Sequence, residues 1–196
     1  MLKLILVTCA FIATAAAISA QNVPTATCQG CPATYISNEE LQAYLQRAIA
    51  RNQIDQQVRS VDAGKSGIAI GMVHRTRLDK PQANSVAEHD HVSEVYHVIS
   101  GSATLVTGPD LVDAQRRPAT NENVRLLNGP GSNAASIRNG VTHQLKAGDA
   151  IIIPAGTGHW FTKIDDHISY IMIRIDPDKV VPLKDEAASK AYLAGK

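Results

Sequence analysis

His89-Asp90-His91-Val92-Ser93-Glu94, running on to Gly101, and Gly148-Asp149-Ala150-Ile151-Ile152-Ile153-Pro154-Ala155-Gly156-Thr157-Gly158-His159 are the two stretches that decide how this chain is read. Each alternates apolar and polar residues as a β-strand does, and each is closed by glycine. Together they supply three imidazoles and one carboxylate. Alternate residues of a strand point to one face, so His89 and His91 can both reach a single ion. A carboxylate, Glu94, and a further histidine, His159, complete a mixed nitrogen and oxygen shell with positions left to water or substrate. Imidazole and carboxylate without thiolate suit iron, manganese, nickel, copper or zinc. The expectation is therefore one divalent transition metal on His89, His91, Glu94 and His159.

The same residues resemble the two motifs of the cupin superfamily. The second motif is matched by Gly148, Pro154, Gly156 and His159, with Lys163 where the family has asparagine. In the first, Glu94 and Gly101 stand the expected six residues apart, and Val95 to Ser100 reads as the strand between them. Its histidine pair can be placed in two ways. With His89 and His91 as the pair, only two residues separate them from Glu94 and the opening glycine position is Ala83. With the family spacing to Glu94 kept, His89 is the second histidine and Ala87 occupies the first position. His89 is a ligand in both placements and His91 in one. The resemblance covers about residues 65–175 and is to single-domain, exported bacterial-type members. It implies an all-β fold, a single jelly-roll β-barrel, and association as a homodimer. The activities it implies are those of dioxygenases, oxalate-acting enzymes, lyases and isomerases.

The remaining histidines, His74, His97, His143 and His167, read as ordinary hydrogen-bonded residues. His97 is out of phase with Glu94 and Tyr96 and is expected on the opposite face of its strand. Tyr96, in phase with Glu94, is a candidate catalytic residue able to donate a proton or orient substrate.

Composition narrows the partners. A net charge of +1 without a basic block points to neither nucleic acid nor an anionic membrane surface, and 4% aromatic residues is too few for a stacking platform. Residues 1–20 read as a secretory signal, with Lys3 as the positive start, an apolar run from Leu4 to Ile18 and small residues up to Ala20. A periplasmic or secreted protein, free of the membrane after cleavage, is expected. Cys28 and Cys31 then remain as an oxidised pair, read as a local staple.

Past this pair, Ser37 stands three residues before Glu40 as an N-cap, and Leu41, Tyr44, Leu45, Ala48 and Ile49 recur at helical spacing. The pattern predicts a helix over 38–51 packed on the outside of the barrel. Strands are expected at 68–74, 85–91, 94–100, 103–106, 150–153, 159–162 and 168–175. The resulting plan is a signal at 1–20, a cysteine-containing segment and helix at 21–64, a barrel at 65–176 and a tail at 177–196. The tail has helical composition, with Leu183, Ala187 and Tyr192 as packing candidates. Between the motifs, Gly108 to Gly140 reads as a lid or rim loop, in which Arg116, Arg117 and Arg125 can meet an anionic substrate. Two functional classes follow. One is a metal-dependent oxidoreductase or lyase acting on a small organic molecule; the other is a non-catalytic module binding a small ligand or metal. An accessible pocket at the metal separates them.

Overall fold

The computed structural model describes residues 25–195, so the expected signal at 1–20 lies outside the described residues. Helix α1 spans Asn38–Arg51, as the apolar spacing predicts. The Ser37 hydroxyl accepts from the Glu40 amide at 3.2 Å, and Glu39 and Glu40 sit at the positive end of the helix. Asn52 ends it in the left-handed region, φ 49°, its amide turned back to the Ala48 and Ile49 carbonyls. Tyr44 and Ala48 face inward, Tyr44 packing with Val58 and Met72.

Eleven strands follow: β1 Asp55–Asp62, β2 Gly67–Leu78, β3 Val86–His89, β4 Ser93–Gly108, β5 Leu111–Val112, β6 Gln115–Arg116, β7 Gly131–Ala134, β8 Ser136–Ile137, β9 Val141–Lys146, β10 Ala150–Ile153 and β11 Gly158–Asp176. Helix α2, Glu186–Leu193, is capped by the Asp185 carboxylate, which accepts from the Ala188 amide at 2.8 Å. Nine strands form one antiparallel sheet, and β5 with β8 form a small second one. Long strand β11 is the hub, pairing with β2, β3 and β4; β4 carries β9 and β10 in turn.

The expected closed barrel is corrected here. The sheet runs from β1 to β6 and its ends do not pair. Edge strand β1 instead finds a partner in the C-terminal segment, where the Ser60 amide donates to the Lys184 carbonyl at 2.9 Å, so the edge is covered without closure.

Two expected strand pairs are each one strand. β4 runs through Gly101, whose φ of +77° bends it without ending it; a Cβ there would lie 1.9 Å from the His167 carbonyl oxygen. β11 runs through 162–168 with register shifts on both neighbours, the mark of bulges that bend a long strand. The segment 108–140, read as a lid or rim loop, is structured: it contains β5 to β8 and a π-helical turn at Val124–Asn128.

Buried Val73, Val98, Leu105, Phe161, Ile168 and Tyr170 centre the main core. The rings of Tyr96, Phe161 and Tyr170 stack within it, Tyr96 and Tyr170 at 4.4 Å between centroids. Of the tail residues expected to pack, Tyr192 stacks on Tyr44 at 5.4 Å, whereas Leu183 and Ala187 are exposed and Ser189 is buried instead. Cys28 and Cys31 form the expected disulfide. Among the described residues no helix is long and apolar enough to cross a membrane.

Candidate metal centre

Three strand ends meet at one point. His89 is the last residue of β3, Glu94 the second of β4 and His159 the second of β11. Antiparallel register places His159 opposite Ala87, two residues from His89, and Glu94 opposite both Ile153 and Arg174. The turn of the second motif is tied directly to the first: the Gly156 amide donates to the His89 carbonyl at 2.7 Å and the Ala155 amide to the Ser93 hydroxyl at 3.0 Å. Through these bonds two segments far apart in sequence hold one geometry.

One donor atom from each of His89, Glu94 and His159 lies within 4.8 Å of the others, and all three residues are buried. Glu94 is the bridge: its Oε1 stands 3.5 Å from His89 Nε2 and its Oε2 3.6 Å from His159 Nε2. Burial pushes the Glu94 carboxyl upward, but His89, His159, Arg174 and the Tyr96 hydroxyl outweigh it and hold the group at about 2. Burial also drives His89 down to about 3 and lowers His159. At neutral pH the trio is thus one carboxylate and two neutral imidazoles, the protonation states a metal requires.

His91 does not join them. The chain leaves the β conformation at Asp90 and resumes it at Ser93, so strand alternation no longer applies at His91. Its ring lies at the surface with Nδ1 2.7 Å from an Asp178 carboxylate oxygen. Of the four expected ligands, His89, Glu94 and His159 come together and His91 stands apart. His97 is exposed on the far face of β4, as its phase predicts.

Tyr96 lies below Glu94, donating its hydroxyl to Oε2 at 2.7 Å, with its ring edge-on to His159. It lines neither neighbouring cavity. Its hydroxyl orients the Glu94 carboxylate. Below Oε1 lies Arg174, also buried, with its Nε at 3.4 Å; the same guanidinium pairs with Asp55 and donates to the Gln57 amide oxygen at 3.2 Å. Sequence reasoning missed Arg174 and Asp55. A signal was present, for Arg174 shares the phase of Ile168, Tyr170 and Met172, and an arginine on the buried face of an apolar strand demands a buried acid.

The residues fit a metal. Glu94 Oε1 is buried and has no hydrogen-bond partner among the described residues, an expensive state for a carboxylate oxygen that a cation would relieve. His159 Nδ1 contacts the Thr157 carbonyl oxygen at 3.2 Å, which puts the ring proton on Nδ1 and leaves the Nε2 lone pair facing Glu94. One cavity reaches the trio through His159, and a second adjoins the first. The smaller, about 210 Å³, is walled by His159, Arg75 and Phe161; the larger, about 960 Å³, by Arg75, Ala87, Asp55 and Arg117. They share Asn52, Ile54, Arg75 and Ala87 as walls.

Of the three arginines proposed to meet a substrate, only Arg117 faces this space. Arg116 is held by Asp90 through two contacts of 2.6 Å, and Arg125 is exposed on the π-helical turn.

No family model matches the chain, and no curated protein matches it. Among solved structures, a Bacillus halodurans protein is similar at 16% identity, with 82% of this chain and 96% of that one covered and a TM-score of 0.42. An RmlC-like cupin family protein with a double-stranded β-helix fold from Methanocaldococcus jannaschii is 12% identical, with 65% and 86% covered and a TM-score of 0.38. KdgF from Halomonas sp. is 13% identical, with 65% and 83% covered and a TM-score of 0.35.

Proposed function

We propose that this protein is a mononuclear metal-dependent enzyme that acts on a small organic substrate, as a dioxygenase-like oxidoreductase or a lyase. The observation that carries the reading is the buried His89, Glu94 and His159 group, its donor atoms within 4.8 Å of one another beside a cavity. Two imidazoles and one carboxylate with open positions are the donor set that non-haem iron oxygenases use. A bound ion would supply Lewis acidity or a site for dioxygen. The protein's own part is to keep Glu94 ionised with Arg174 and Tyr96 and to present His159 in the ligating tautomer. The adjoining cavity favours catalysis over a closed binding module. An exported location is part of the reading, supported by the apolar start of the sequence and the Cys28–Cys31 disulfide.

Elemental analysis of protein purified without a metal-affinity tag tests the proposal. About one equivalent of metal is expected, iron foremost. His159→Ala should lose it, while His91→Ala and His97→Ala should retain it. No metal in the wild type, and none taken up on reconstitution, would end the proposal. With metal present, oxygen uptake over small acids, diketones and phenols separates oxidoreductase from lyase.

A further inference from the structure

We infer that the cavity beside the metal centre receives a small organic carboxylate, gripped between the guanidinium groups of Arg75 and Arg117. The inference deepens the enzyme reading and rests on it for what happens to the bound acid, but the grip itself is a property of the protein without metal.

These two differ from the neighbouring guanidiniums in their partners. Arg174 pairs with Asp55, Arg116 with Asp90, and Arg59 with Glu40. Among the described residues Arg75 has no carboxylate in hydrogen-bonding contact: its Nε donates to the Tyr170 hydroxyl at 3.3 Å, and its plane lies over the Phe161 ring at 4.7 Å. Arg117 likewise donates to no carboxylate among the described residues. It reaches the Glu88 backbone carbonyl at 2.5 Å and His89 Nδ1 at 2.9 Å, and its buried Nε has no partner among the described residues. Stacking on an aromatic face and bonding to a backbone carbonyl hold each plane in place without neutralising it.

The surrounding charge does not cancel them. Behind the cavity, Arg174 faces Asp55 and Glu94; at the rim, Lys184 and Glu122 offset one another. The Glu88 carboxylate, on the far side of β3 from His89, accepts from the Ser132 amide. Among the residues that line the larger cavity, Arg75, Arg117 and Lys184 against Asp55 and Glu122 leave one positive charge in excess, and a divalent metal would add to it. Arg75 lines the smaller cavity together with His159, Arg117 contacts His89 at 2.9 Å, and both wall the larger cavity, so they flank the same centre. An anion entering between them meets two preformed forks next to the candidate ligands.

The walls favour a carboxylate over a phosphate ester. Helix α1 turns its C-terminal end, Asn52 and Gln53, to the cavity, and α2 its flank, Ala188, Ala191 and Tyr192. Neither offers the ring of amide donors at a helix N-terminus that a phosphate dianion commonly uses.

Calorimetric titration of the full mature protein, as purified and after chelation, with benzoate, oxalate and 2-oxoglutarate tests the inference. Benzamide serves as the neutral control and glucose 6-phosphate as the phosphate control. At least one carboxylate should bind chelated protein where benzamide does not. Arg75→Gln and Arg117→Gln should each weaken it about tenfold or more, the value of a charged hydrogen bond, while Arg116→Gln leaves it unchanged. Should Arg75→Gln fail to fold, Arg75→Lys keeps the charge, loses the fork and should still weaken binding. Carboxylates binding no better than benzamide, equal losses in Arg116→Gln and Arg117→Gln, or a preference for the phosphate ester would each overturn the assignment. Metal uptake is read in parallel. Carboxylate binding by protein that takes up no metal keeps the grip and removes the metal reading, and the converse result does the reverse.

Discussion

Arg117 donates to Nδ1 of His89 at 2.9 Å, and this contact sets the tautomer of a candidate metal ligand. A guanidinium has donors only, so Nδ1 accepts. In the neutral ring the proton then lies on Nε2, the atom facing Glu94 at 3.5 Å. His159 is in the opposite state, its Nδ1 proton directed to a backbone carbonyl. His159 presents a free Nε2 lone pair, whereas His89 would present one only once Arg117 releases it.

Arg117→Gln should therefore tighten metal binding. The substitution removes a competing charged hydrogen bond and a repelling cation, together about a tenfold gain or more. Competition against a chelator of known affinity measures it. Weaker metal binding in the variant would show that Arg117 supports the site instead of restraining it.

Gly101 and Gly156 both occupy the left-handed region, φ +77° and +78°, but in different surroundings. A Cβ on Gly101 would meet the His167 carbonyl oxygen at 1.9 Å, whereas one on Gly156 meets nothing within 4 Å. Gly156→Ala should cost about 1 kcal/mol, the conformational penalty alone. Gly101→Ala should cost roughly 3 kcal/mol or more, because backbone must move. Urea unfolding of the two variants gives the comparison, and equal costs would remove the collision as a cause.

Arg59 carries the docking of both helices on β1. Its buried guanidinium meets Glu40 of α1 at 2.7 Å and the Ser189 hydroxyl of α2 at 3.2 Å. Glu40→Ala leaves that charge without its close partner and should cost about 3 kcal/mol. Arg59→Met, which removes the charge and keeps the volume, should cost less. Chemical denaturation decides; a smaller loss in Glu40→Ala than in Arg59→Met contradicts the argument.

Lys184 links stability to alkaline pH. Its ammonium donates to the Tyr44 hydroxyl at 3.0 Å and the Gln57 carbonyl at 2.5 Å and lies over the Tyr192 ring. Burial pulls its pKa from 10.5 to about 8. Between those values the unfolded chain binds more protons than the folded one, so this group makes stability rise with pH; below 8 its cost is constant. Because the side chain is only half-buried, the contribution is about 1 kcal/mol after screening. Across that window the wild type should gain this amount on Lys184→Met, measured by denaturation at successive pH values. A constant difference would show that the pKa is not depressed.

Local periodicity made much of the molecule legible. Ser37, Glu40 and the apolar spacing that follows predict α1 to the residue, and 150–153 coincides with β10. Strand β1 was invisible because Gln56, Gln57, Arg59 and Ser60 are buried in it. Hydropathy reads such residues as surface; here each is satisfied by a distant partner, such as the Tyr44 carbonyl that accepts from Gln56 at 2.8 Å. The break at 101–102 was expected from the glycine, which bends β4 and leaves it whole.

By itself the sequence determined which residues alternate, where α1 begins and that His89, Glu94 and His159 lie on strand segments, since these are properties of neighbours along the chain. Tertiary structure decided the rest: that His91 turns to Asp178, that Arg174 sits beneath Glu94, that Arg116 is neutralised while Arg117 is not, and that the sheet stays open. Those outcomes depend on strand register and on charges brought together from remote positions. The physical reason is that local steric and hydrophobic preferences act within a few residues, whereas a buried charge takes its partner from whatever the completed fold places within a few ångströms.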